Sequence, residues 1–95
     1  MYKEFENPLP SKFGRMYVSN DAKLNMGPPT QGDTVTIRVS EDTDFYIQVE
    51  SLNNGNVQGE IVGIGPNPAF EFRGWEHGQK IQVQESAVTA IIRAS

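Results

Sequence analysis

Apolar and polar positions alternate along the middle of the chain. Val35, Ile37 and Val39 alternate with Thr34, Thr36 and Arg38, and Phe45, Ile47 and Val49 alternate with Tyr46, Gln48 and Glu50. A period of two places every apolar side chain on one face of a half-buried strand. The pattern predicts a first strand over 33–40 and a second over 44–52, joined by the charged turn Glu41, Asp42, Thr43 and Asp44. Asn54–Gly55 then marks a tight hairpin, because both central residues of a type I′ turn need positive φ and Asn and Gly tolerate it. A third strand follows over 56–64, where Gly59 and Gly63 point to a bulge or a sharp coil of the sheet.

Gly65, Pro66, Asn67 and Pro68 break the alternation. Ala69 to Arg73 reads as a short irregular strand and Gly74 to Gly78 as a turn-rich loop, with Phe70 assigned to the core. Alternation resumes over 79–84 with Ile81 and Val83 inward. Glu85, Ser86 and Ala87 span one turn of 3₁₀ helix, and 88–92 is a last strand. The expected core is Val35, Ile37, Val39, Phe45, Ile47, Val49, Val57, Ile61, Ile81, Val83, Val88 and Ile91.

Residues 1–31 lack this regularity. Phe5, Leu9, Phe13 and Met16 or Tyr17 fall near helical spacing, but Pro8, Pro10 and Gly14 interrupt a helix. Residues 15–19 have the length of a short strand, and 25–32 have the composition of a linker, with Pro28–Pro29 favouring an extended form. The expectation is a poorly ordered N-terminal arm over 1–31, the alternative being an arm draped over the domain by its aromatics.

Five short strands sharing one core commonly close into a small barrel, which removes exposed edges. The expected fold is therefore all-β, a small five-stranded barrel over 32–95. The order of strand, strand, tight hairpin, strand, long loop, strand, 3₁₀ turn and strand resembles the SH3-like barrel over residues 32–92. Gly32 to Val35, Phe45 to Glu50, Gly59 to Val62, Asn67–Pro68 and Gly78 to Val83 are also similar to a family of small bacterial β modules of unknown function. Gln79 stands where that family's last motif has Asp. The resemblance implies a fold and carries no activity.

Composition narrows the function classes. The 95 residues make one domain with a tail, and a core of that size buries about two-thirds of the unfolded surface. There is no cysteine, which excludes disulfides, thiolate metal sites and a thiol nucleophile. No segment approaches the roughly 18 apolar residues of a membrane span, and the N-terminus lacks the apolar run of a signal peptide, so a cytoplasmic protein is expected. The net charge of -4 is unevenly spread. Up to residue 32, Lys3, Lys12, Arg15 and Lys23 face three acids; beyond it Arg38, Arg73, Lys80 and Arg93 face nine. An acidic body disfavours nucleic acid, whose binding rests on phosphate neutralisation.

Catalytic and cofactor signals are weak. His77 is the only histidine, whereas zinc takes several His or Cys ligands. Glu41, Asp42 and Asp44 lack the spacing and glycine of an EF-hand loop and read as a solvated turn. No serine sits in a Gly-x-Ser-x-Gly elbow, and one histidine leaves no relay. Glu60 and Glu71 could pair, but nothing in the sequence fixes their separation. Gly63 and Gly65 follow a strand, yet Pro66 and Pro68 forbid the helix that a phosphate-binding loop needs. No cofactor, no metal and no enzymatic activity are expected.

The remaining candidate is aromatic. Tyr46 lies opposite the core face of its strand, and Phe72 and Trp75 lie in or beside the longest loop. Tyr46, Phe72 and Trp75, flanked by the acidic turn, form the expected binding surface of a non-catalytic protein- or peptide-binding module; the alternative for Phe72 and Trp75 is that they cap the open ends of the barrel. The expected partner is a basic or proline-containing segment. The alternative is nucleic-acid binding through the arm, where Lys12 to Val18 interleaves basic and aromatic residues without the spacing of an RNA-binding strand signature.

Overall fold

The alternation seen in the sequence builds the centre of one mixed sheet. A computed structural model describes residues 1–9, 14–18 and 27–94. Its strands are β1 (Lys3–Glu4), β2 (Met16–Val18), β3 (Thr34–Ser40), β4 (Thr43–Asn53), β5 (Asn56–Gly65), β6 (Glu71–Phe72), β7 (Trp75–Glu76), β8 (Lys80–Gln84) and β9 (Val88–Ile92), with a 3₁₀ turn over Glu85–Ala87. Seven of them form a sheet in the order β1-β8-β5-β4-β3-β9-β2, and β6 and β7 pair separately. The all-β class and the five main strands follow the expectation to within a residue or two at each end. All twelve expected core residues are buried, joined by Ile64, Trp75 and Ala87.

Local chemistry explains the turns and bends. Asn54 and Gly55 both take positive φ, 52° and 80°, so the predicted hairpin closes in the predicted way. The β4–β5 ladder slips between Tyr46 and Ile47 and again between Val49 and Ser51. Gly59 faces the second slip, where an added Cβ would lie 2.2 Å from the Gln48 carbonyl oxygen, so no side chain fits there. These bulges coil the two longest strands around the core.

The expected five-stranded closed barrel is not what the pairing shows: among the described residues no ladder closes the sheet. The reason lies in the arm. β1 pairs in parallel with the outer edge of β8, and β2 in parallel with the outer edge of β9. The two strands that a barrel would bring together are thus each covered by a strand of the arm. The described part of the arm is therefore placed, as in the draped alternative. Phe5 N–H donates to Gln82 O at 2.9 Å, and the Phe5 ring meets Phe45 and Trp75 edge-on, with centroids 5.7 and 5.5 Å away. Leu9 N–H donates to Arg38 O at 2.9 Å. Arg15 donates to Glu85 Oε1 (2.9 Å) and to the carbonyls of Glu85 (2.7 Å) and Val88 (3.2 Å). Tyr2 donates its hydroxyl to Glu50, which also binds Lys80.

The segment before β3 is fixed by a buried charge. Thr30 to Asp33 forms a turn in which Gly32 has φ 93° and Asp33 N–H donates to Thr30 O at 3.0 Å. Asp33, 2% exposed, accepts from Thr30 N–H, the Thr30 hydroxyl, Ala94 N–H and Arg93 Nη1, the last two at 2.8 Å. Arg93 donates as well to Gly27 O and Pro28 O and lies over the Tyr17 ring, 5.6 Å from its centroid. Burial pushes the Asp33 carboxyl up, but the hydrogen bonds from Ala94, Thr30 and Arg93 outweigh it and hold the group below its ordinary range.

Two predictions follow from this packing. Ile47→Ala should cost about 2–4 kcal/mol and Gln48→Ala less than about 0.5 kcal/mol in denaturant titrations, since Ile47 is fully buried and Gln48 is exposed. Because the folded pKa of Asp33 is lowered, its contribution to stability is complete above the unfolded pKa, near 4, and is lost as pH falls through the folded value. Asp33→Asn should cost about 3 kcal/mol at neutral pH. Its melting temperature should also fall less than the parent's between pH 5 and pH 2, as read by calorimetry.

Candidate binding site

The loop between β5 and β8 folds back as a second tight hairpin. Arg73 (φ 50°) and Gly74 (φ 87°) occupy the two central positions of its turn, another type I′ pattern, and the Glu71 carboxylate accepts from Gly74 N–H at 2.7 Å. Phe72 and Trp75 flank the turn as a cross-strand pair, so both rings point to the same side. That side is the core. Phe72 packs edge-on to Phe45 at 6.1 Å, and the Trp75 ring lies 6.2 Å from Phe45 and 5.5 Å from Phe5. Lys3 Nζ sits 4.7 Å above the Trp75 ring.

The three aromatic residues expected to share one surface are therefore separated. Trp75 is 8% exposed and plugs the core, while Phe70, expected inside, is 84% exposed. The exposure of Phe70 follows from the hairpin: β6 is only two residues long, so Phe70 falls beyond it, beside the His77 ring at 6.5 Å. Tyr46 is half-buried on the other face of β4, with its ring over Gly63 and Gly65. A Cβ at either glycine would come within 3.0–3.1 Å of that ring. Phe72 alone reaches the feature described next.

An open groove of about 760 Å³ runs between the arm, the β3–β4 turn and the β6–β7 hairpin. Leu9, Val39 and Phe72 supply its apolar lining, Asn7 and Ser40 its neutral polar groups, and Glu41, Asp42 and Arg73 its charges. Several of these residues are held from behind. Leu9 is carried by its bond to Arg38 O. The turn is pinned by Arg38, which donates to Glu41 O at 2.9 Å and pairs with Asp44 at 3.1 Å. Asp42 accepts from the hydroxyls of Ser40 (3.0 Å) and Thr43 (3.3 Å). Arg73 lies 4.8 Å over the Phe72 ring. Neither the Glu41 nor the Asp42 carboxylate has a cationic partner among the described residues. The sequence singled out Phe72 and the acidic turn but gave no sign of Leu9, which enters only because the arm crosses β3.

Other candidates find structural partners. Glu60 meets Lys80 at 3.4 Å while Glu71 holds the hairpin turn, so the two acids do not converge. His77 is exposed and donates Nε2–H to Val62 O at 2.8 Å. Among the described residues no cluster of three or more His, Cys, Asp or Glu is placed to hold a metal, and no helix is long and apolar enough to cross a membrane. In the arm, Lys3 covers Trp75 and Arg15 is bound to Glu85; Lys12 and Phe13 lie outside the described residues. Comparison with known protein families, with curated proteins and with solved structures finds no match.

Trp75→Ala should destabilise the fold by about 3–5 kcal/mol in a denaturant titration, the range for emptying a buried aromatic site. Phe70→Ala should change stability by less than about 0.5 kcal/mol, as expected of an exposed side chain.

Proposed function

We propose that this protein is a non-catalytic module that binds a protein or peptide segment in the groove between Leu9, Val39, Phe72 and the acidic turn. The central strands, in the order β8-β5-β4-β3-β9 with the 3₁₀ turn before β9, are read as an SH3-like arrangement to which the arm adds a strand at each border. The observation that carries the binding reading is the meeting of an apolar lining with two carboxylates that lack cationic partners among the described residues. Such a groove takes an extended segment that places an aliphatic or proline side chain on Phe72 and Leu9 and a Lys or Arg beside Glu41 and Asp42. Arg73 at the Phe72 side gives the groove opposite charges along its length, and that difference orients a ligand. The partner class is thus a basic or proline-containing protein segment.

The test is an NMR titration of the isotope-labelled chain with short peptides containing proline and lysine, against acidic peptides of the same length. Shifts should centre on Val39 to Asp42 and on Phe72–Arg73. The double variant Glu41→Lys, Asp42→Lys should weaken binding by at least about tenfold while keeping the fold, because both residues are exposed. Equal binding of acidic peptides, or shifts confined to other surfaces, would exclude this reading.

A further inference from the structure

The β2 border of the sheet presents an uncharged edge flanked by exposed apolar side chains. Among the described residues, β2 pairs with β9 alone, on its inner side. Val18 O accepts from Arg93 N–H at 2.8 Å, so the backbone groups of Val18, and of Met16 two residues earlier, turn toward β9. Tyr17, between them, turns its N–H and C=O outward, because successive residues of a strand point to opposite sides. The side chains on one face of this border are apolar and exposed: Met16 65%, Val18 45% and Ile92, the register partner of Val18, 46%. Edge strands are commonly blunted by charge, proline or a bulge. β1, the opposite border, consists of Lys3 and Glu4, whereas β2 has none of these devices.

Charge selects the occupant. The chain carries -4, so two copies repel wherever their acidic surfaces meet. β2 and β9 contain no charged residue, and the neighbouring Arg15 and Arg93 are paired with Glu85 and Asp33. Among the described residues, nothing at this border repels a second copy. The edge is also self-complementary. A directly opposed, hydrogen-bonded antiparallel pair exchanges both N–H···O bonds between two residues, and one outward-facing residue meets that requirement about a two-fold axis.

We propose that the chain self-associates through β2, with Tyr17 of each copy exchanging both backbone hydrogen bonds across a two-fold axis. Met16 then stands opposite Val18 of the second copy, and the two Ile92 side chains border the apolar strip. The contact is small, so the dimer is weak and reversible. Salt screens the repulsion between the acidic bodies without weakening the apolar strip, so association holds or strengthens as salt rises.

Sedimentation equilibrium of the full chain, from micromolar to millimolar concentration and at low and high salt, tests this. A reversible monomer–dimer equilibrium is expected, with a dissociation constant raised at least about tenfold by Val18→Lys and, independently, by Ile92→Lys, which introduce the edge charge that β2 lacks. Leu52→Lys, at an exposed apolar position away from this border, should leave it unchanged. The proposal is overturned by a parent chain that stays monomeric throughout, by a dimer insensitive to both lysines, or by one that dissociates on adding salt.

Discussion

The Asp33–Arg93 ion pair joins four parts of the chain at one buried point. Asp33 precedes β3 and Arg93 follows β9, sixty residues later. Arg93 also holds the carbonyls of Gly27 and Pro28 and covers Tyr17 of β2. Removing two charges from water is costly, and only complete hydrogen bonding offsets it. Here the carboxylate accepts from two backbone amides and a hydroxyl besides the guanidinium, and no buried polar side-chain atom among the described residues lacks a partner. The strictness of that requirement makes the pair a register device. Thr34 stands opposite Ile92, and a slip of one residue would strand both charges in apolar surroundings.

The same logic governs the borders of the sheet. The five central strands, in the order β8-β5-β4-β3-β9, leave β8 and β9 with outer edges to cover, and the arm supplies a strand to each. β1 and β2 are too short to be stable alone; their placement depends on anchors outside the ladders. Phe5 enters the aromatic cluster of Phe45 and Trp75, and Arg15 binds the 3₁₀ turn. The arm thereby becomes part of the site, since Leu9 reaches the groove only because its backbone is tied to Arg38.

How much of this was legible in the sequence depends on the range of the forces involved. β3, β4, β5, β8 and β9 were readable because period-two alternation is local, and Asn54–Gly55 because its φ demand is local too. β2 was foreseen as a short strand over 15–19, but neither its pairing nor β1 was readable, because strands of two and three residues carry no periodicity and their partners lie more than seventy residues away. The second hairpin was hidden by Arg73, a residue rarely found at positive φ. Without that turn, Phe70 was assigned to the core, and Trp75 stayed open between a surface site and a core cap. Only the aromatic pair flanking Arg73–Gly74 gave a signal that could have found it. The burial of Asp33 had no local sign beyond Thr30 three residues earlier, because Arg93 is distant. Within the groove, Phe72 and the acidic turn were legible as residue types, and their convergence was not.

Charge accounting sharpens what the groove can select. Arg38 spends its donors on the Asp44 carboxylate and the Glu41 carbonyl, which rigidifies the turn without neutralising the Glu41 carboxylate. Ser40 and Thr43 orient Asp42 in the same way, with neutral hydroxyls in place of a cation. An acid held in place but left without a counter-charge needs little further ordering when a basic ligand arrives, and ordering is a main cost of association. The basic residues of the arm described at this end of the fold follow the opposite rule: Lys3 and Arg15 are already committed to Trp75 and Glu85. Lys3 and Arg15 tie the arm to the fold, while the Glu41 and Asp42 carboxylates face the groove with no cationic partner among the described residues. The proposed preference for a cationic segment over a phosphate backbone rests on that division of charge.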